Sequence, residues 1–391
     1  MGRKGIVLIL VIGIISGFFY FDHRAVASEP TSINLQEIDQ QLLSLLKSKQ
    51  YELLDSTIRT YVKSYEADPL REKYVDVALE VFSRSLPDLE PLLTEWISKQ
   101  SMSYTAYTAR GIYYTRVGAT KRGSNVISKT TEKQLEGMEL YFNKAARDLD
   151  KAHSINPRLI HALCYEMLIL SNYGERDQLR QLRDKGLAVN PSSSTLRWTY
   201  ISTLLPRWGG TIEEMRKEIE SARPYYIKNP ELKALEGRIS AEYGDQAFFD
   251  ERDYQKAIRF YNEALRYGEG SFYHFQRGVT YSSTRQFDLC IKDMDIAIQL
   301  RPNNPRAYFQ RGYAKHRLQR YNEAIVDLSK SIDDNPYEDR AWITRGYAYS
   351  FLGKKDLALA DYEKAVALSP NNRQYLFARD AMKKSVQAET K

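Results

Sequence analysis

Four residue types return at one interval through the last third of this chain. Pro302, Pro336 and Pro370 are 34 apart. So are Gly278, Gly312 and Gly346, then Arg277, Arg311 and Arg345, then Asp293, Asp327 and Asp361. A fixed period of this length marks one supersecondary unit, repeated and stacked, because a single unit cannot bury its own apolar face. Within a unit the apolar and small residues fall at helical spacing. Phe309, Gly312 and Tyr313 mark a first helix, Ala324, Leu328 and Ser331 a second, and LQRYNEA between them holds the turn. Glycine costs about 1 kcal/mol of helix propensity, so its return on the first helix predicts close approach of the second. The proline, with Asn335 before it in one unit, ends the second helix or opens the next unit. Every strong period is near 3.6 and none is near 2, which predicts an all-α chain.

Upstream the pattern continues but degrades. Pro157 and Pro191 are again 34 apart, and Pro230 follows after 39. YQKAIRFYNEAL, residues 254–265, reads as a second helix, with its first helix around 231–243. Arg110-Gly111 reads as another first helix, and residues 138–153 as its partner, with Ala145, Asp148 and Ala152 in register. Residues 119–137 then form an inserted loop. Residues 31–100 carry four helical stretches, at 35–46, 52–65, 71–82 and 89–97. The expected organisation is a divergent helical domain at 31–157 and degenerate repeats at 158–270. Three regular repeats follow at 271–372, then a capping helix and tail at 373–391.

The unit from Asp339 places Trp342, Gly346, Tyr349, Ala358, Tyr362, Ala365 and Pro370 at the offsets of a known pattern, with Arg345 where that pattern has leucine. It resembles the tetratricopeptide repeat. The stretches ARGIYYTRVG, KRGSN and PRWGG of the N-terminal half also resemble a bacterial domain of unknown function that accompanies such repeats. The first resemblance implies a right-handed solenoid of antiparallel helix pairs whose first helices line a concave face. It implies binding of a partner protein or peptide there, a scaffold role without catalysis. The groove offsets select Phe272, Phe275, Val279 and Ser282, then Arg306, Phe309, Tyr313 and His316, then Arg340, Ile343, Tyr347 and Ser350. Members that clamp a C-terminal carboxylate carry Lys and Asn at two of these offsets. Here those offsets hold Phe, Phe, Ile and Val, Tyr, Tyr, so that clamp is not expected. The candidate partner-binding residues are Phe272, Phe275, Arg306, Phe309, Tyr313, His316, Arg317, Arg340 and Tyr347, a set of aromatics and arginines such as dominate interface energy. They suit a segment with apolar and some acidic side chains.

Arg277, Arg311 and Arg345 precede Asp293, Asp327 and Asp361 by one constant step. This spacing predicts structural ion pairs between the two helices, and Arg110 with Asp148 the same pair across the insertion. Enzymatic motifs are missing: there is no phosphate-binding glycine loop, no G-x-S-x-G elbow and no H-E-x-x-H helix. His161 and Cys164 share a helix face but lack a third ligand, so neither a metal nor a cofactor is expected. RWGG, residues 207–210, reads as a turn with an aromatic anchor. The net charge of +7 over 391 residues, without a dense Lys/Arg block, gives no reason to expect nucleic acid.

The N-terminus is different. Arg3 and Lys4 precede a charge-free run from Ile6 to Phe21, and AVAS follows. This reads as a signal peptide cut after Ala27, or as an inner-membrane anchor through residues 6–21. Either places the body outside the cytoplasm, in the bacterial cell envelope. With only Cys164 and Cys290, the chain does not depend on disulfides. Two rivals to the scaffold remain at this level: an exported enzyme whose site lies in the N-terminal helical part, and a glycan-binding envelope factor.

Overall fold

The computed structural model describes residues 34–84, 86–123 and 130–389. These form nineteen α-helices and no strand, in an all-α solenoid. The apolar run and cleavage motif lie outside the described residues. No described helix is long and apolar enough to cross a membrane. The chain divides into two compact units. The first runs to Glu242 and adds Glu263–Gly270; the second holds Tyr243–Asn262 and the chain from Ser271.

The first unit is built on α1 (Leu35–Lys47), α2 (Tyr51–Ala67), α3 (Glu72–Glu80), α4 (Leu89–Lys99), α5 (Tyr104–Arg122), α6 (Glu132–Ile155), α7 (Ile160–Ser171), α8 (Arg176–Val189), α9 (Ser194–Thr203) and α10 (Ile212–Ala222). Trp96, Trp198, Phe82 and Phe142 are among its fully enclosed side chains. The α5/α6 hairpin corrects the expected loop at 119–137, because α5 continues through Arg122 and α6 begins at Glu132. A reciprocal cap starts α6: the Thr131 hydroxyl accepts the Gln134 N–H, and the Gln134 side chain accepts the Thr131 N–H. Packing continues along the added length. A Cβ on Gly118 would stand 2.6 Å from the Phe142 ring, so only glycine admits that ring. Of the extra residues, 119–122 and 132–137 are helical.

The helix expected around 231–243 is also different. Residues Pro230–Glu236 form a 3-10 segment, α11 (Gly237–Gln246) follows, and a π-turn at Ala247–Glu251 leads to α12 (Tyr254–Leu265). Pro230 at the first position sets up the tighter turn.

The second unit contains three regular hairpins and a last helix. These are α13 (Ser271–Ser283) with α14 (Phe287–Leu300), α15 (Pro305–Arg317) with α16 (Tyr321–Asp334), α17 (Asp339–Phe351) with α18 (Lys355–Leu368), and α19 (Arg373–Glu389). All three turns have one design. Arg285, Gln319 and Gly353 adopt φ of 61°, 62° and 72°. The next residue's N–H then reaches back five residues, Gln286 to Tyr281, Arg320 to Lys315 and Lys354 to Tyr349, at 2.8–2.9 Å. This satisfies the carbonyls that a helix end leaves open. Phe309, Ala324, Leu328, Ile332 and Ala341 form one core cluster. Ile343, Ala358, Tyr362, Ala365 and Tyr375 form the next, so α19 closes the last hairpin through Tyr375.

Candidate functional site

The arginine before each repeat glycine forms a forked bond to the aspartate of its own second helix. Arg277 donates to Asp293 at 2.8 and 2.7 Å, Arg311 to Asp327 at 2.9 and 2.6 Å, and Arg345 to Asp361 at 2.8 and 2.8 Å. In the first unit Arg110 does the same to Asp148, at 2.7 and 2.9 Å. The remaining terminal nitrogen reaches the preceding helix: Arg277 to Asn262 at 2.6 Å, Arg311 to Asp295 at 2.7 Å, and Arg345 to Ser329 at 2.8 Å. Each of these three arginines therefore ties three helices. The aspartates are buried. Burial disfavours a charged Arg311, yet its bonds to Asp327 and Asp295 outweigh that and hold it above the ordinary guanidinium value. All four pairs are structural.

The expected groove residues divide. Phe272, Phe275 and Phe309 are buried, at 8%, 0% and 6% exposure, and Phe309 belongs to a core cluster. They are core and are corrected as contact residues. The reason lies in the following hairpin, whose first arginine closes over the ring. Arg306 lies 5.1 Å above Phe275, and Arg340 lies 5.0 Å above Phe309. Arg340 is further tied to Glu338 at 2.6 Å.

What remains accessible is an aromatic face that pairs expected residues with two that the offsets did not select. Phe351, 65% exposed, stacks on Tyr321 with centroids 4.9 Å apart and planes 4° from parallel. His316 sits beside both, at 5.5 Å from Tyr321 and 5.9 Å from Phe351, and Tyr347 is 6.4 Å from it. Burial first, and the Arg317 charge second, push His316 below its ordinary value, so it is neutral at pH 7. Arg317 is exposed. It lies over Phe287 and Tyr313 at 5.0 and 5.7 Å and donates to the Tyr313 hydroxyl at 2.8 Å. Among the described residues no carboxylate is within ion-pair distance of Arg317. Tyr321 opens a second helix and Phe351 ends the next first helix, so a stripe drawn along first helices misses both. Their shared place beside the turn was the available signal.

In the first unit, His161 and Cys164 are core residues. The His161 Nε2 is 3.1 Å from Asp76 Oδ1, and its ring meets Tyr65 edge-on. The distance fits an ion pair although the angle makes no hydrogen bond, so packing orients the ring. Burial pushes the Cys164 thiol well above its usual range, which removes it as a nucleophile. Glu72 instead acts as a cap in trans: the Ser193 and Ser194 hydroxyls and the Ser194 N–H donate to it at the start of α9. Cys164 and Cys290 are both buried free thiols. Among the described residues no group of three His, Cys, Asp or Glu could hold a metal ion. RWGG is a 3-10 turn with Gly209 at φ 80°, and Arg207 reaches Glu242 at 3.4 Å.

Residues 305–336 and 339–372 each match a family model described as tetratricopeptide repeat. No curated protein matches the chain. Among solved structures, that of MamA is 22% identical over 37% of this chain and 84% of its own, with a TM-score of 0.35. The Arabidopsis OM64 TPR domain is 24% identical over 29% of this chain and 95% of its own, at 0.29. YrrB, titled a TPR protein with an unusual peptide-binding site, is 18% identical over 60% of this chain and 99% of its own, at 0.32.

Proposed function

Because this chain carries tetratricopeptide repeats, we propose that it is a non-catalytic scaffold that binds an acidic, aromatic-bearing segment of a partner protein. The observation that carries the reading is the exposed Phe351–Tyr321 stack beside Arg317. A large apolar ring held open to water is a ready contact. A guanidinium lying on two aromatic rings, with no carboxylate partner among the described residues, is charge-complementary to an acidic side chain. Tyr313, His316 and Tyr347 form the floor. The general role follows from the repeat fold by association, and the choice of segment follows from this face.

The same proposal places the protein in the bacterial cell envelope, exported through residues 1–27 and either cleaved after Ala27 or anchored through residues 6–21. Its support is the order of Arg3 and Lys4, the apolar run, and AVAS.

A photo-crosslinking residue at Phe351 in intact cells tests the docking face, with a second probe at Leu140 in the first unit as control. The expected result is one dominant adduct from position 351 that disappears when Arg317→Glu is added. An adduct indifferent to Arg317→Glu, or shared with position 140, overturns the reading. N-terminal sequencing of the isolated protein is expected to begin at Ser28, or the chain to sediment with membranes. A protein free in the cytoplasm and starting at Met1 removes the export proposal.

A further inference from the structure

The arginine slot has a register that can be followed into the first unit. Arg277, Arg311 and Arg345 keep one distance from Pro302, Pro336 and Pro370, the prolines that close their units, and the same distance back from Pro191 falls on Glu166. The aspartate slot is nine residues before the same proline, where this repeat has Leu182. The third contact comes from the preceding helix, as Asp295 does for Arg311; the same step back from Glu166 falls on Asp150. At this one joint the sign is reversed. A carboxylate takes the place of the guanidinium, the aspartate slot of its own hairpin holds leucine, and the neighbouring helix presents a second carboxylate.

The surroundings fit that description. α7 packs against α6 and α8, and the Glu166 Oε1 is buried without a hydrogen-bond partner. The charged groups acting on it are Asp150 from α6 and Lys185 from α8; from α5 and α9, which also pack on α7, none does. His153, one turn beyond Asp150, shares the same two neighbours and has a buried Nδ1 without a partner.

We propose that the α6–α7–α8 joint is a proton-operated hinge, with Glu166 as the group that carries the proton. Protonated, Glu166 is an uncharged side chain that Asp150 does not repel. Ionised, its enclosed Oε1 carries charge with no hydrogen-bond donor and in the field of the exposed Asp150, and α7 loosens from α6. Burial first, and Asp150 second, raise the Glu166 carboxyl to about 7, against the pull of Lys185. The sign follows from linkage. Between the ordinary value of 4.5 and about 7, the folded chain holds a proton that the unfolded chain has released. Stability from this group is complete below that window and is lost as pH rises through it. His153 works in the opposite sense. Burial first, then Lys185, lower it, so its contribution is lost as pH falls through the imidazole range. Where the two windows overlap their slopes oppose each other, and above the imidazole range only the Glu166 loss remains.

Carboxyl-detected NMR of the full chain in detergent micelles reads Glu166 directly, and amide hydrogen exchange, corrected for the chemical rate, reads the joint. The expected midpoint is near 7, with exchange in α7 rising about tenfold from pH 6 to pH 8 and no such rise in Glu166→Gln. If Glu166→Gln does not fold, Asp150→Asn serves: it lowers the midpoint while Glu166 still titrates. A midpoint in the ordinary carboxylate range, exchange in α7 that ignores pH, or a Glu166→Gln chain that keeps the full pH response overturns the proposal.

Discussion

In the second unit one joint is used three times; in the first it occurs at Arg110 and Asp148, and other joints are solved differently. Arg277, Arg311 and Arg345 keep part of the guanidinium in water, with 19%, 18% and 15% of the side chain exposed. Attraction to the buried aspartate then exceeds the cost of burial, and Arg311 and Arg345 are held more firmly protonated than a free guanidinium. Two pairs of the first unit are enclosed instead. Arg84 and Asp39 are each 4% exposed, and Arg197 and Glu218 each 2%. There burial leads: it raises Glu218 and lowers Arg197 despite their contact. The difference teaches that a pair whose guanidinium stays partly in water adds stability, whereas an enclosed one mainly fixes helix register.

Mutations can break that contrast. The largest expected effect is from Glu218→Ala, which leaves the enclosed Arg197 without a carboxylate and Arg183 with Asp184 alone; a loss of about 3–5 kcal/mol is expected, read by urea unfolding. The paired change Arg197→Met with Glu218→Leu is expected to cost far less than Glu218→Ala. The same treatment of Arg311 and Asp327 is expected to be clearly destabilising. Equal behaviour of the two double variants would erase the distinction. Next is Gly312→Ala. Its new methyl would stand 2.8 Å from Leu328 Cγ and 3.2 Å from the Ala324 carbonyl, so overpacking of about 1–3 kcal/mol exceeds the helix gain of about 1 kcal/mol. A stabilised Gly312→Ala would show that the hairpin has slack. Smaller still is Gln319→Gly. Gln319 holds a left-handed backbone that costs a non-glycine residue about 1 kcal/mol, so thermal unfolding is expected to shift up by that order. The smallest is Phe351→Ser. That ring is mostly in water, and a change within about 0.5 kcal/mol is expected, although binding of the proposed partner is lost.

The regular hairpins were legible in the sequence because their geometry restricts residue type. Only glycine fits against Tyr362 at position 346, where a Cβ would come within 2.5 Å of the ring, and only arginine can fork onto Asp361 while also reaching Ser329. Such positions announce themselves at each period. The aromatic stripe was not legible in the same way. An offset places Phe309 on the first helix facing the groove, but whether the ring ends in the groove or the core depends on Arg340 of the next hairpin. Tyr321 and Phe351 were missed because their stack joins two repeats beside the turn and belongs to no single helix stripe. The α5/α6 hairpin was misread for a related reason. The pattern marks only its paired end, and the added residues carry their own contacts, such as Gly118 on Phe142.

That hairpin also shows where such a chain can grow. Arg110 and Asp148 bond across 38 residues, whereas Arg277 and Asp293 bond across 16, yet the two forks have the same geometry. In this longer hairpin Arg110 and Asp148 lie nearer the start of α5 and the end of α6 than the ends that are joined. Residues added at the turn lengthen an arm and leave the anchored end in register. A lineage of such chains could therefore accumulate or lose length there, a few helical turns at a time, while its neighbours along the array register no change.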